Sequence, residues 1–172
     1  MQEPSFHTRD SQRGKSLADY WPLAVLVLIA AAMATAIAYP AYGLMGWMHG
    51  YMGVFLCIFA MLKLFTPGTF VKGFHMYDLL GMRVRAYGYV YPYLELGLGL
   101  AYLAGITAPL LYAFTMVLFG FGALGVMGAL RRGLDIYCPC MGSVLQVPLS
   151  TVTLLEDLGM VGMAAVMLWL HA

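Results

Sequence analysis

Apolar residues run through this chain in long blocks separated by short polar connections, without the strict alternation of half-buried strands. A helix that crosses a hydrocarbon core of about 30 Å needs roughly 20 apolar residues at about 1.5 Å each. Five blocks reach or approach that length: 23–39, 47–65, 89–103, 110–130 and 151–170. Pro22 falls in the first turn of the first block, where a missing N–H is harmless, and Asp19 precedes it as a cap. Ser150 is the corresponding cap for the last. Segment 66–85 places Phe70, Phe74 and Tyr77 on one helical face and Lys72, His75 and Asp78 on the other, which predicts a short helix lying in a membrane interface. Segment 131–150 carries the densest polar chemistry.

Composition turns these blocks into membrane spans. Of 172 residues, 62% are hydrophobic and only 10% charged, against about 25% charged in soluble domains. So few charges cannot coat a water-soluble globule, which excludes a soluble enzyme, a nucleic-acid binder and a disordered tail. The lipid bilayer is therefore the first partner, and nucleic acid is not one. Charge placement then orients the chain. Arg9, Arg13 and Lys15 precede the first block, Lys63, Lys72, Arg83 and Arg85 lie between the second and third, and Arg131 and Arg132 follow the fourth. These are all nine basic residues, and the alternate connections 40–46 and 105–109 carry no charge. Basic residues stay on the cytoplasmic side, so the expectation is a multi-pass inner-membrane protein with its N-terminus inside and its C-terminus periplasmic. Trp21, Trp47 and Trp169 fall at block ends, as interfacial aromatics should. Ala36-Ile37-Ala38 has the small-x-small form of a signal cleavage site, but the polar lead of about 20 residues favours a retained helix.

Membrane helices associate by close backbone approach, which small residues permit. Ala30, Ala34 and Ala38 form one such stripe, Gly97, Ala101 and Gly105 a second, and Gly125 with Ala129 a third. Met45, Met48 and Met52 come closest to a methionine stripe, which is more economically read as core filler.

Cys138-Pro139-Cys140 is the strongest chemical signal, two of only three cysteines placed one proline apart in a polar loop. Such a pair can close a strained, readily reduced disulfide or chelate one soft metal through both sulfurs. Cys57, ten residues into the second block, is a small buried hydrophobe or a relay thiol if the loop reaches it. Glu95 lies inside an apolar stretch, so it must be paired, protonated or facing a wet cavity. Glu156 and Asp157 point about 100° apart on one helix, so at least one is expected to meet Arg83, Arg85 or Arg131. Carboxylates near the cysteines would raise a thiol pKa, while Arg131 and Arg132 would lower it. His49 and His75 are ligands or, more ordinarily, hydrogen-bonding residues.

Tyr87-Gly88-Tyr89-Val90-Tyr91-Pro92-Tyr93-Leu94-Glu95-Leu96-Gly97-Leu98-Gly99 resembles the Tyr-Pro-x-x-Glu-x-x-x-Gly pattern of the MauE/DoxX family of redox-associated membrane proteins. Cys138-Pro139-Cys140-Met141-Gly142 resembles that family's Cys-x-Cys-x-Gly, with Met141 where an aromatic is common. Pro148 to Asp157 resembles a MauE-like branch, and the likeness covers residues 46–170. It implies a four-helix DoxX-like domain over 46–172, with an interfacial helix at 66–85 and the Cys-Pro-Cys loop at 131–150. An extra N-terminal helix (21–45) and a cytoplasmic tail (1–20) complete the five-helix, all-α chain. The implied function is thiol–disulfide redox assistance to the maturation of an exported protein, the methylamine dehydrogenase small subunit or a related one, beside a thioredoxin-like or exported thiol partner. In that reading Cys138 and Cys140 form the redox pair, Cys57 is a relay and Glu95 a proton acceptor. The chain would be a thiol–disulfide oxidoreductase component without a soluble catalytic domain and without a certain cofactor; a second copy of the chain is a further candidate partner. The alternative is heavy-metal handling, in which Cys138, Cys140, His75, Glu156 and Asp157 supply ligands to Cu(I), Zn or Hg. A third is a structural subunit whose cysteines are incidental.

Overall fold

The computed structural model of the protein describes residues 21–38, 43–132 and 151–171. Among these residues there are six helices and no strands: α1 (Trp21–Ala38), α2 (Gly43–Phe65), α3 (Pro67–Tyr77), α4 (Arg85–Leu103), α5 (Pro109–Arg131) and α6 (Thr151–His171). The apolar blocks are thus all helical. α2 and α4 each begin four residues before their apolar blocks, because Gly43 to Gly46 and Arg85 to Gly88 still propagate a helix once it is nucleated. α2 and α5 are long and apolar enough to cross a membrane by length and composition, and α1 contributes a shorter apolar helix. Leu110, Trp169, Phe65, Leu28 and Trp21 are all more than half exposed, an apolar outer surface suited to lipid.

Side-chain contacts fix the relative directions of the helices. Trp47 Nε1 donates to Thr35 Oγ1 at 3.1 Å, and a Cβ at Gly50 would stand 3.2 Å from the Ala34 backbone, so α1 lies antiparallel along the start of α2. Ala30 and Ala34 are fully buried in that seam, as their spacing suggested. α2 and α4 are also antiparallel and approach more closely still. A Cβ at Gly99 would meet the Gly53 carbonyl oxygen at 3.0 Å, and one at Gly53 would meet that of Gly99 at the same distance. α5 and α6 pair in the same sense, with Gly122 against Asp157 near one end and the rings of Tyr112 and His171 6.2 Å apart near the other.

The expected α4 stripe is not the packed one. Gly97 is exposed and has nothing within 4 Å of a built Cβ, and Gly99, two positions on, makes the close approach instead. Gly105 serves as a helix stop. Its φ of 70° is the left-handed conformation that glycine adopts without a Cβ penalty. The Gly105 N–H bonds to the Tyr102 carbonyl at 3.0 Å and the Ile106 N–H to that of Ala101 at 3.1 Å, the paired bonds of a Schellman ending. Ala108 and Pro109 then start α5, proline again in the first turn.

α3 starts behind Thr66 with Pro67 in its first turn and buries Phe70, Val71, Phe74 and Tyr77. That aromatic face, expected to enter lipid, is covered by protein: Phe70 stacks on Tyr91 of α4, and Phe74 packs at a tilt against Tyr87 and Tyr91. Asp78 was expected on the polar face but is 2% exposed. It ends α3 because its carboxylate accepts the N–H groups of Leu80 at 2.9 Å and Gly81 at 2.6 Å, drawing the backbone out of the helix. Burial pushes the Asp78 carboxyl up from the ordinary carboxylate range, and those two backbone bonds pull it back down. A Cβ at Gly125 would stand 2.8 Å from the Tyr77 carbonyl oxygen, so α5 closes over this corner.

Candidate functional site

Glu95 is 2% exposed and its partner is Lys63, whose Nζ donates to Glu95 Oε2 at 2.5 Å. The lysine sits in the last turn of α2, 32 residues from Glu95 in sequence, and is equally buried. An ammonium in so dry a place needs more than one counterpart. Three rings supply it: Tyr91, Phe70 and Phe59 have centroids 5.1, 5.7 and 5.9 Å from Nζ, within the reach of cation–π attraction. Lys63 thus belongs to the interior of the protein and not, as its place among the basic residues suggested, to a cytoplasmic connection. The signal that could have found it is the apolar run around it, Ile58 to Phe65, in which it is the sole charge.

The pair opens onto a cavity of about 30 Å³, room for roughly one water. Glu156 and Asp157 of α6 line the same cavity, with Phe55 and Phe119 among the rings around it. The expected partners of these acids are elsewhere: Arg83, Arg85 and Arg131 are exposed, and the cation that shares the acids' cavity is Lys63. Three carboxyl groups from two helices therefore line the cavity that holds one ammonium, and Glu95 is the one bonded to it. Sequence spacing could not show this, since α2, α4 and α6 meet only through the fold.

The other candidate residues are distributed around this centre. Cys57 is half-buried on α2 with its Sγ 2.8 Å from where a Gly99 Cβ would stand, in the α2–α4 seam and not among the residues lining the cavity. His75 is also outside the lining, and its Nδ1–H donates to the Gly81 carbonyl. Among the described residues no three of His, Cys, Asp and Glu stand together as metal ligands. Cys138 and Cys140 lie outside the described residues, in the segment that joins the end of α5 to the start of α6.

A second polar cluster occupies the other end of the molecule. His49 Nδ1–H donates to the Met45 carbonyl at 2.9 Å, which leaves Nε2 as the acceptor for the Tyr112 hydroxyl at 3.1 Å. Thr115 Oγ1 donates to the Leu111 carbonyl and accepts from the Tyr102 hydroxyl, both at 2.9 Å. His49 thus holds a structural hydrogen bond, and Met48 and Met52 pack as core beside it. Tyr112→Phe strands His49 Nε2, and we expect a loss of about 1–3 kcal/mol in folding stability, measured by unfolding in detergent micelles. Stability equal to wild type would mean that water replaces the hydroxyl.

Residues 43–170 match the family model described as methylamine utilisation protein MauE. The match begins at the first residue of α2 and leaves α1 outside it. No curated protein and no solved structure matches the chain.

Proposed function

The chain belongs to the MauE family, and from that premise we propose that it is a membrane thiol–disulfide redox protein that assists maturation of an exported protein. The working pair is Cys138 and Cys140. One thiolate attacks a partner disulfide, forming a mixed disulfide and releasing the partner's second sulfur as a thiolate that takes up a proton. The remaining cysteine, losing its own proton, attacks the mixed disulfide. The Cys138–Cys140 disulfide closes and the partner leaves as a dithiol; the reverse sequence oxidises a partner. Two electrons pass between the two sulfur pairs in either direction, and no separate oxidant is needed. The partner is a thioredoxin-like or exported thiol protein, of which a methylamine dehydrogenase small subunit is the example that the family description suggests.

One observation favours this chemistry beyond family membership. The cysteine segment enters α6, and two turns into α6 stand Glu156 and Asp157, which share a cavity with the buried Lys63–Glu95 pair. Charged groups held in a nearly dry cavity are the means by which a membrane protein accepts and returns a thiol proton. Glu95, held by Lys63, is the proton-handling group in this reading, and Cys57 is a relay only if the segment reaches the α2–α4 seam. The five long helices span the inner membrane, residues 46–172 forming the four-helix DoxX-like domain and α1 an addition to it. The cytoplasmic side carries the cysteine segment and the basic residues other than Lys63.

Trapping tests the chemistry directly. With Cys138→Ser, Cys140 should hold a partner as a mixed disulfide visible on non-reducing gels of cell membranes. Cys138→Ser/Cys140→Ser should trap nothing. Wild-type protein that retains copper or zinc through purification, together with absence of any adduct from either single variant, would replace this reading with heavy-metal handling.

A further inference from the structure

Four of the described cations outside the buried pair share an arrangement that thiol chemistry does not use. Lys72, Arg83, Arg85 and Arg131 are exposed, and among the described residues none of them has an acidic partner. They gather at one end of the molecule. Lys72 stands on the outer face of α3, Arg83 and Arg85 lead into α4, and Arg131 closes α5. α3 and α5 meet there through Gly125, which packs on Tyr77 and Asp78. Gly125 is six residues before Arg131, and Asp78 is five before Arg83, so one corner of the bundle carries them all. Arg132 differs, since its Nε donates to the Gly128 carbonyl at 3.2 Å and folds back over the end of α5.

Apolar side chains are interleaved with these charges. Leu79, Leu80 and Val84 are between 37% and 50% exposed, in the loop that holds Arg83 and ends at Arg85. A surface meant for water or for an acidic soluble protein has no use for exposed leucines between its arginines. A surface at the level of phospholipid headgroups uses both, with the aliphatic groups facing acyl chains and the guanidinium groups facing phosphates. Arginine suits phosphate particularly well, since its planar fork donates two parallel hydrogen bonds.

We propose that this corner is a binding surface for anionic phospholipid headgroups of the inner leaflet, with Arg83 and Arg85 as its principal contacts and Arg131 and Lys72 flanking them. The proposal rests on the membrane reading above but is independent of the cysteines. Bound lipid would pin the α3–α4 loop and the end of α5, which adjoin the helices that supply Phe74, Tyr77, Phe119 and Gly122 to the Lys63–Glu95 cavity.

The test uses the full chain in nanodiscs made from equal phosphatidylcholine and phosphatidylglycerol, with lipid retained on release read by native mass spectrometry. Wild type should keep phosphatidylglycerol preferentially, and molar salt should abolish the preference. Arg83→Gln/Arg85→Gln should lower the retention ratio about fivefold for each arginine removed. Arg83→Lys/Arg85→Lys should keep most of it, and Thr107→Ala, at the opposite end, should change nothing. Thermal melting in pure phosphatidylcholine separates lost binding from lost folding. If the glutamine variant fails to fold, single variants Arg83→Gln and Arg85→Gln carry the measurement. Equal retention of both lipids by wild type would overturn the proposal. So would displacement of phosphatidylglycerol by inorganic phosphate at low millimolar concentration, which would assign the arginines to a free anion. Failure to enter neutral nanodiscs at all would instead count against the membrane reading.

Discussion

Lys63→Met should cost about 3–5 kcal/mol of folding stability, because it leaves the Glu95 carboxylate buried without its ammonium. Glu95→Gln should cost less, since Lys63 loses its direct partner but keeps its aromatic rings and the Glu156 and Asp157 carboxyl groups that line the same cavity. The double variant Lys63→Met/Glu95→Leu removes both desolvation penalties together, fills similar volume, and should recover most of the loss. The measurement is equilibrium unfolding in detergent micelles for the wild type, both single variants and the double variant. Strong non-additivity is the expected signature of a pair in direct contact. Singles that sum to the double would mean the pair contributes little, and the short contact would then have no energetic consequence. The same Glu95→Gln protein also bears on function. Normal yield with loss of partner trapping would assign the carboxyl a chemical role beyond its structural one, and full yield with full trapping would remove it from both.

Gly99→Ala should part the α2–α4 seam and destabilise the bundle. Its new Cβ would stand 2.8 Å from Cys57 Sγ and 3.0 Å from both the Cys57 backbone nitrogen and the Gly53 carbonyl oxygen. The sulfur could move, but the two backbone atoms could not without parting α2 from α4. Overpacking of this kind costs about 1–3 kcal/mol, against a gain of about 1 kcal/mol from the better helix propensity of alanine. Gly97→Ala carries the gain without the clash, since nothing stands within 4 Å of its Cβ position. The pair should therefore separate in opposite directions in the same micellar unfolding assay. Cys57→Ala in the Gly99→Ala background should restore only part of the loss, because it relieves the sulfur contact and not the backbone ones. Equal stability of Gly97→Ala and Gly99→Ala would place the α2–α4 crossing elsewhere.

These two experiments fall where sequence and fold part company. Each helix was legible because its cause is local: a long apolar block, in several cases with proline in the first turn or glycine at the end, satisfies its own backbone hydrogen bonds wherever it lies. α3 was legible for the same reason, down to the shared face of Phe70, Phe74 and Tyr77. Glu95 stood out as a residue requiring explanation, since a carboxyl in an apolar helix is costly whatever surrounds it. What would cover the α3 face was not legible, because lipid and the aromatic rings of α4 satisfy an apolar surface equally well.

Length and hydropathy of each block, the asymmetry of the basic residues and the presence of one conspicuous cysteine pair were determined by the sequence alone, because they depend on residues close together in the chain. Which glycine lies in the α2–α4 seam, and which cation answers Glu95, depended on the rotation of one helix against another. A turn of 100° per residue makes Gly97 and Gly99 face different neighbours, although both sit in the same small-residue run. Lys63 and Glu95 are 32 residues apart, and only antiparallel packing of α2 and α4 brings their side chains together. Tertiary structure made those choices because packing energy falls off within a few ångströms, a range that chain position alone does not resolve.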